Sequence, residues 1–149
     1  MEITKASASD IPDLCQLLYV LFSQEVEFSP DQDAQAKGLY QIIENPEIGH
    51  ILVAKEKNGD TVGMVSVLFT VSTALGGRVA VFEDMVVMPG ARGDGIGSQL
   101  LEGAIQSARL SCCKRVTLLT DRENTAAQRF YEKHGFSEST MIPLRLLLV

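Results

Sequence analysis

The sequence predicts a mixed α/β (α+β) fold: a six- to seven-stranded sheet flanked by about four helices, forming a single domain over residues 1–149. Three observations predict it. Apolar residues recur at helical spacing in several separate segments. β-Branched apolar runs lie between turn signals. A glycine-rich stretch, "ARGDGIGSQLL", joins one such run to a helical pattern. The expected order is β-α-α-β-β-β-α-β-α-β-β.

Each element follows from its residues. "ITKA" is a short first strand, and from Ser9 the residues Ile11, Leu14, Leu17, Leu18, Leu21 and Phe22 share a helical face. Ser9 or Asp10 can cap that helix, and Pro12 suits a first turn. "FSPDQDAQ" reads as a loop into a second helix, Ala34 to Glu44, which Asn45 and Pro46 close. "HILVAKE", "TVGMVSVLFTV" and "RVAVFEDMVVM" are three antiparallel strands, the first two joined through Asn58-Gly59, where both turn positions are expected at positive φ. A helix follows the glycines, with Ile96, Leu100, Leu101, Ala104 and Ala108 on one face. "KRVTLLT" is a strand parallel to the one before that helix. Ala126 to His134 is a short helix, and "GFSEST" and "LRLLLV" are two final strands.

Composition narrows the function. Hydrophobic residues make up 46% and charged residues 21% of the chain, an ordinary globular balance. No apolar stretch approaches a membrane span, and "MEITKASASD" lacks a signal-peptide layout, so no membrane partner and a cytoplasmic address are expected. The net charge of −6 disfavours nucleic acid and is compatible with a cationic substrate. Cys15, Cys112 and Cys113 make no disulfide framework, and neither His50 nor His134 stands at ligand spacing from them, so reduced thiols and no metal are expected.

Gly93, Gly95 and Gly97 open a helix, where each glycine costs roughly 1 kcal/mol relative to alanine. Such a bare backbone commonly approaches a phosphate. A Walker A loop requires lysine where this chain has Ile96, and a dinucleotide fingerprint requires a third glycine where it has Ser98. What is left is R-G-x-G-x-G between strand and helix. The amides of residues 93 to 98 and the Arg92 guanidinium would meet an anion there. The alternative is a tight turn whose glycines only permit close packing.

"RGDGIG" fits the signature [QR]-x-x-G-x-[GA], and "NTAAQRFYEKHGF" follows about 30 residues later. In these two motifs, in "FEDMVVMPGARGDGIGSQLL" and in element order over nearly the whole chain, the sequence resembles the GNAT superfamily of acetyl-CoA-dependent N-acetyltransferases. Asp94 departs mildly from the family pattern, since many members carry a basic residue there.

The resemblance implies acetyl transfer from acetyl-CoA, as co-substrate, to a primary amine by direct attack in a ternary complex. It implies that Met85, Val86 and Val87 line the pantetheine arm, with backbone groups of Met85 and Val87 bonding to it and to the acetyl carbonyl. Arg92, Gly93, Asp94, Gly95, Ile96, Gly97 and Ser98 would hold the pyrophosphate. Asn124, with Ala127 and Phe130, would contact the cofactor from the other side. Tyr131 would protonate the departing thiolate; the alternative is an aromatic core position beside Phe130. Glu83 would act as base through water or bind the amine. It is favoured over Asp84, because strict alternation places Glu83 with Val81, Met85 and Val87 on one face unless a bulge intervenes. A salt-bridging role fits Asp84, and a helix-end role fits His134.

The acceptor site is expected from the first two helices, "SQEVEFSPDQDAQ" and the loop around "VSTALGG", where Glu25, Glu27, Asp31 and Asp33 can attract a cation or form a solvated loop. A polyamine, another small amine, a peptide or a protein amine all stay open as acceptor. The apolar "LRLLLV" suits either pairing across a homodimer or an interior strand. A non-catalytic acyl-CoA-binding module and a ligand-free structural domain are the competing readings, and the pairing of Glu83 with Tyr131 speaks against the first.

Overall fold

The computed structural model describes residues 1–25 and 28–149, which form two compact units, Met1–Leu119 and Thr120–Val149. In the first, the strands β1 (Glu2–Lys5), β2 (Gly49–Lys55), β3 (Thr61–Ser72), β4 (Gly77–Val87) and β5 (Val116–Leu118) form one sheet in that order. The first four pair antiparallel, and β5 runs parallel to β4. The β4-to-β5 connection carries a helix, as a parallel pair requires.

Helices α1 (Ile11–Gln24) and α2 (Gln32–Glu44) cover one face of this sheet. Leu14, Leu17, Leu18 and Leu39 pack there against Ile51, Val53, Met64 and Val86. The other face takes α3 (Ile96–Leu110), which buries Ile96, Leu100, Leu101, Ala104 and Ala108, the stripe its sequence periodicity predicts. Gly103 lets α3 lie close to the sheet: a Cβ there would stand 3.2 Å from Ile3 Cγ2. His50 on β2 hydrogen-bonds Ser107 of α3 and meets the Phe69 ring edge-on at 5.7 Å.

Local details depart from the sequence expectations in instructive ways. Asp10 does not cap α1 through its side chain. A one-turn 3-10 helix, Ala8–Asp10, comes first, and Asp10 accepts from the Ser7 amide at 2.8 Å while pairing with Lys55 at 2.7 Å. Helix α2 starts two residues early, because Asp31 accepts from the Ala34 amide at 3.2 Å. The β2–β3 turn forms around Asn58-Gly59, yet only Gly59 has positive φ, at 93°. Asn58 instead uses its side-chain oxygen to accept from the Asp60 amide at 3.0 Å.

In the second unit, α4 (Thr125–Lys133) is the regular element. The two expected final strands do not form there: residues 136–149 adopt no regular structure, so the sheet has five strands rather than six or seven. "LRLLLV" has the local preference of a strand, but a strand also needs a ladder partner, and the second unit holds no other strand. Its side chains are exposed, Leu144 at 90% and Leu146 at 83%.

Candidate active site

The first half of β4 is regular. Leu68 faces Val81 and Ser66 faces Glu83 across the β3 ladder, while Ala80, Val81 and Phe82 pair with Val116, Thr117 and Leu118 of β5. The register then slips, so that Met64 faces Val86, and Asp84 and Met85 together oppose Val65. This is a β-bulge with Asp84 in the left-handed region at φ 56°. That conformation costs a non-glycine residue about 1–2 kcal/mol, and aspartate is among the few side chains that adopt it.

The bulge corrects the expected alternation. Glu83 shares its face with Val81 and Val86, the face covered by α1 and α2, whereas Met85 and Val87 fall on the other. It also turns the backbone. The Met88 amide donates to the Val62 carbonyl at 2.8 Å, so alternation sends the backbone groups of Met85 and Val87 to the opposite edge of β4. On that edge, β5 pairs with β4 through Phe82, and among the described residues no strand continues the ladder beyond it.

Electrostatics mark Asp84. Burial pushes the Asp84 carboxyl up to about 7, and the charges of Glu83 and Glu25 push in the same direction. Glu83 itself is exposed. The sequence carried one sign of this, two adjacent carboxylates inside an otherwise apolar strand. The bulge that separates their environments depends on strand register and had no local signal. Of the other acidic residues expected near the acceptor, Asp31 caps α2 and Glu27 lies outside the described residues.

Beyond β4, a one-turn 3-10 helix (Pro89–Ala91) leads into the glycine turn. Gly93 and Gly95 have φ of 94° and 79°, and a Cβ on either would meet nothing within 4 Å. Backbone conformation, not close packing, therefore requires glycine at both positions. Gly95 is the N-cap of α3 and no side chain caps that terminus, so the amides of Ile96, Gly97 and Ser98 point out of the helix end. Arg92 and Asp94 are exposed beside them, and Arg92 Nε donates to the Val87 carbonyl at 2.9 Å, tying the turn to β4.

The remaining expected residues belong to the second unit. Asn124 caps α4, its Oδ1 accepting from the Ala127 amide at 3.0 Å. Phe130 and Tyr131 meet edge-on at 5.3 Å, and Tyr131 also contacts the Phe136 ring at 5.9 Å. His134 Nδ1 donates to the Phe130 carbonyl at 2.9 Å, the helix-end arrangement its position suggests.

Comparison with known proteins supplies the family. The chain is 31% identical over 143 residues to an uncharacterized N-acetyltransferase of Bacillus subtilis, covering 94% of this chain and 92% of that one. It is 28% identical over 138 residues to an aminoalkylphosphonate N-acetyltransferase of Salmonella typhimurium, covering 93% and 86%. An aminoglycoside N-acetyltransferase solved in complex with CoA has the same fold, with a TM-score of 0.81 at 17% identity over 99% of this chain and 95% of that one. The model of the acetyltransferase (GNAT) family matches residues 11–136, and the chain accordingly belongs to that family of acyltransferases.

Proposed function

We propose that the chain, acting as one N-acetyltransferase domain in the cytoplasm, transfers the acetyl group of acetyl-CoA to a primary amine by direct attack within a ternary complex. The observation that carries this reading is Asp84: a half-buried carboxyl, pushed up to about 7, at a bulge where β4 loses its second partner strand. An alkylammonium must lose a proton before its nitrogen can attack, and a carboxylate poised near neutral pH accepts that proton effectively.

Bound acetyl-CoA supplies the activated acetyl thioester. The uncapped amides of α3 and the Gly93–Gly95 turn suit its pyrophosphate, with Arg92 adding charge. The backbone groups of Met85 and Val87 suit an extended amide-bearing arm, which would bond as an added strand while Val86 stays in the core. Because Arg92 Nε already donates to Val87 oxygen, Met85 is the stronger donor–acceptor pair for that arm. The family resemblance assigns Asn124, Ala127 and Phe130 to the same arm. Glu83 holds the incoming ammonium, Asp84 takes its proton, and the Tyr131 hydroxyl gives a proton to the departing thiolate sulfur.

Thiol release measured against pH tests the reading. With a primary amine in excess, kcat/KM climbs through about pH 7 as Asp84 ionises. Asp84→Asn abolishes that limb and lowers kcat about a hundredfold or more. A limb that persists unchanged in the variant removes Asp84 from the proton path. Tyr131→Phe lowers turnover more than CoA affinity, and wild-type turnover in that variant removes the acid role.

A further inference from the structure

Two surfaces of the chain are each one half of a sheet contact. In the first unit, β5 pairs with β4 on one side, and among the described residues it has no neighbour on its outer edge. Its Val116 and Leu118 are only half-buried, and Leu119, the next residue, is 58% exposed. In the second unit, α4 carries Ala126, Ala127, Phe130 and Tyr131 on one helical face, yet none of its residues is buried. Further on, the seven large apolar side chains between Met141 and Val149 are all exposed. An apolar patch of this size marks an interaction surface. Pro143 can begin a strand but not continue one. Leu146 to Val149 is apolar at four consecutive positions, the pattern of a strand covered on both faces.

The two surfaces are complementary in kind. An open strand edge needs an unpaired strand, and a strand-forming segment without a ladder needs an edge. The chain carries one of each, and among the described residues both stay open in it. Two copies related by a twofold axis satisfy both at once, with no third component. Each exposed side chain of the segment offers on the order of 100 Å² of apolar area. Seven from each copy therefore reach the ~1,200–2,000 Å² that a stable interface buries. We propose that the chain forms an exchanged homodimer, in which the second unit of one copy, α4 with a strand over 144–149, adds to the β5 edge of the other. The active site is then shared between copies: Asp84 and the glycine turn come from one chain, Asn124 and Tyr131 from its partner. The shared site rests on the acetyl-transfer reading above, whereas the exchange itself does not.

Sedimentation of the full chain is expected to give twice the mass of one copy. Leu146→Glu changes a side chain that is 83% exposed in the single chain, so it should yield monomers with an unchanged circular dichroism spectrum. A monomeric wild type overturns the proposal. Chains labelled with 14N and 15N, refolded together and cross-linked, then distinguish exchange from any other dimer. Cross-links between the two units should carry both labels in about half of the molecules, because half of randomly assembled pairs are mixed. A single label throughout overturns the exchange, since each second unit then stays with its own chain. The shared site is read by thiol release from acetyl-CoA with butylamine, 2-aminoethylphosphonate and a lysine-containing peptide. Asp84→Asn and Tyr131→Phe, each slow alone, should recover about a quarter of the wild-type rate when refolded together, because one of the two sites in every mixed pair is intact. A rate no higher than the mean of the separate variants overturns the shared site. A wild type that binds CoA by calorimetry but releases thiol with none of the three overturns the acetyl-transfer reading, and the label pattern alone then decides the exchange.

Discussion

Up to Phe82, β4 is paired on both edges where β5 lies beside it, and Val79, Ala80 and Phe82 are buried. From Glu83 onward it is paired on one edge, carries two carboxylates and holds Asp84 in a left-handed conformation. The two halves share a strand but face opposite demands. The first half satisfies every requirement of a stable ladder. The second leaves a backbone edge without a strand partner and a carboxyl that burial pushes upward, at a cost in strain and charge burial. A single register slip divides the two halves, and under the proposed chemistry substitutions on either side of it should sort into effects on stability and on turnover.

The largest expected effect is at Asp84. Asp84→Asn keeps a side chain that tolerates positive φ, so it removes the charge without adding strain. Turnover should fall about a hundredfold or more, whereas the melting temperature should rise, because a buried acid that resists ionisation is gone. A variant both less active and less stable would show that the bulge is a structural element after all.

Val79→Ala tests the other half. Losing two buried methyl groups should cost about 2 kcal/mol in denaturant unfolding, with kcat per folded molecule within twofold of wild type. A large loss of kcat would break the division between the halves. At the adjoining turn, Gly95→Ala should cost roughly 1 kcal/mol, because its φ of 79° disfavours any Cβ. It should also weaken CoA binding about tenfold by calorimetry, if the amides that follow it hold the pyrophosphate.

The smallest effects are in pH dependence, where the two regions carry opposite signs. The folded-state carboxyl of Asp84 sits above its ordinary value of 3.8, at about 7, so the folded protein binds more protons between those limits. Its contribution to stability is present at acid pH and declines as pH rises from about 4 to 7. His50, in the regular part of the sheet, is held below its ordinary 6.5 by burial and by the Lys5 charge. Its contribution is present above 6.5 and is lost as pH falls below that value. Melting curves of Asp84→Asn and His50→Gln against pH should remove one limb each.

Helices and turns were legible because their signals are local. The α3 stripe from Ile96 to Ala108 and the Asn124 cap each depend on residues a few positions apart. The glycine turn was legible too, although only the dihedrals distinguish a conformational need from close packing at Gly93 and Gly95. Glu83 was singled out from strict alternation, and alternation fails wherever one strand gains a residue against its neighbour. The partners that expose this slip, Met64 and Ser66, lie about 20 residues away in sequence. For the same reason "LRLLLV" reads as a strand although no ladder forms.

By itself, the sequence determined the family, the order of the first nine regular elements and the glycine turn that opens α3, all of which depend on short-range periodicity and residue chemistry. Tertiary structure decided where the bulge falls, which carboxylate burial pushes upward, and which backbone groups face the open edge of β4. Each of those depends on how strands are registered and what buries them, and no window of neighbouring residues contains that information.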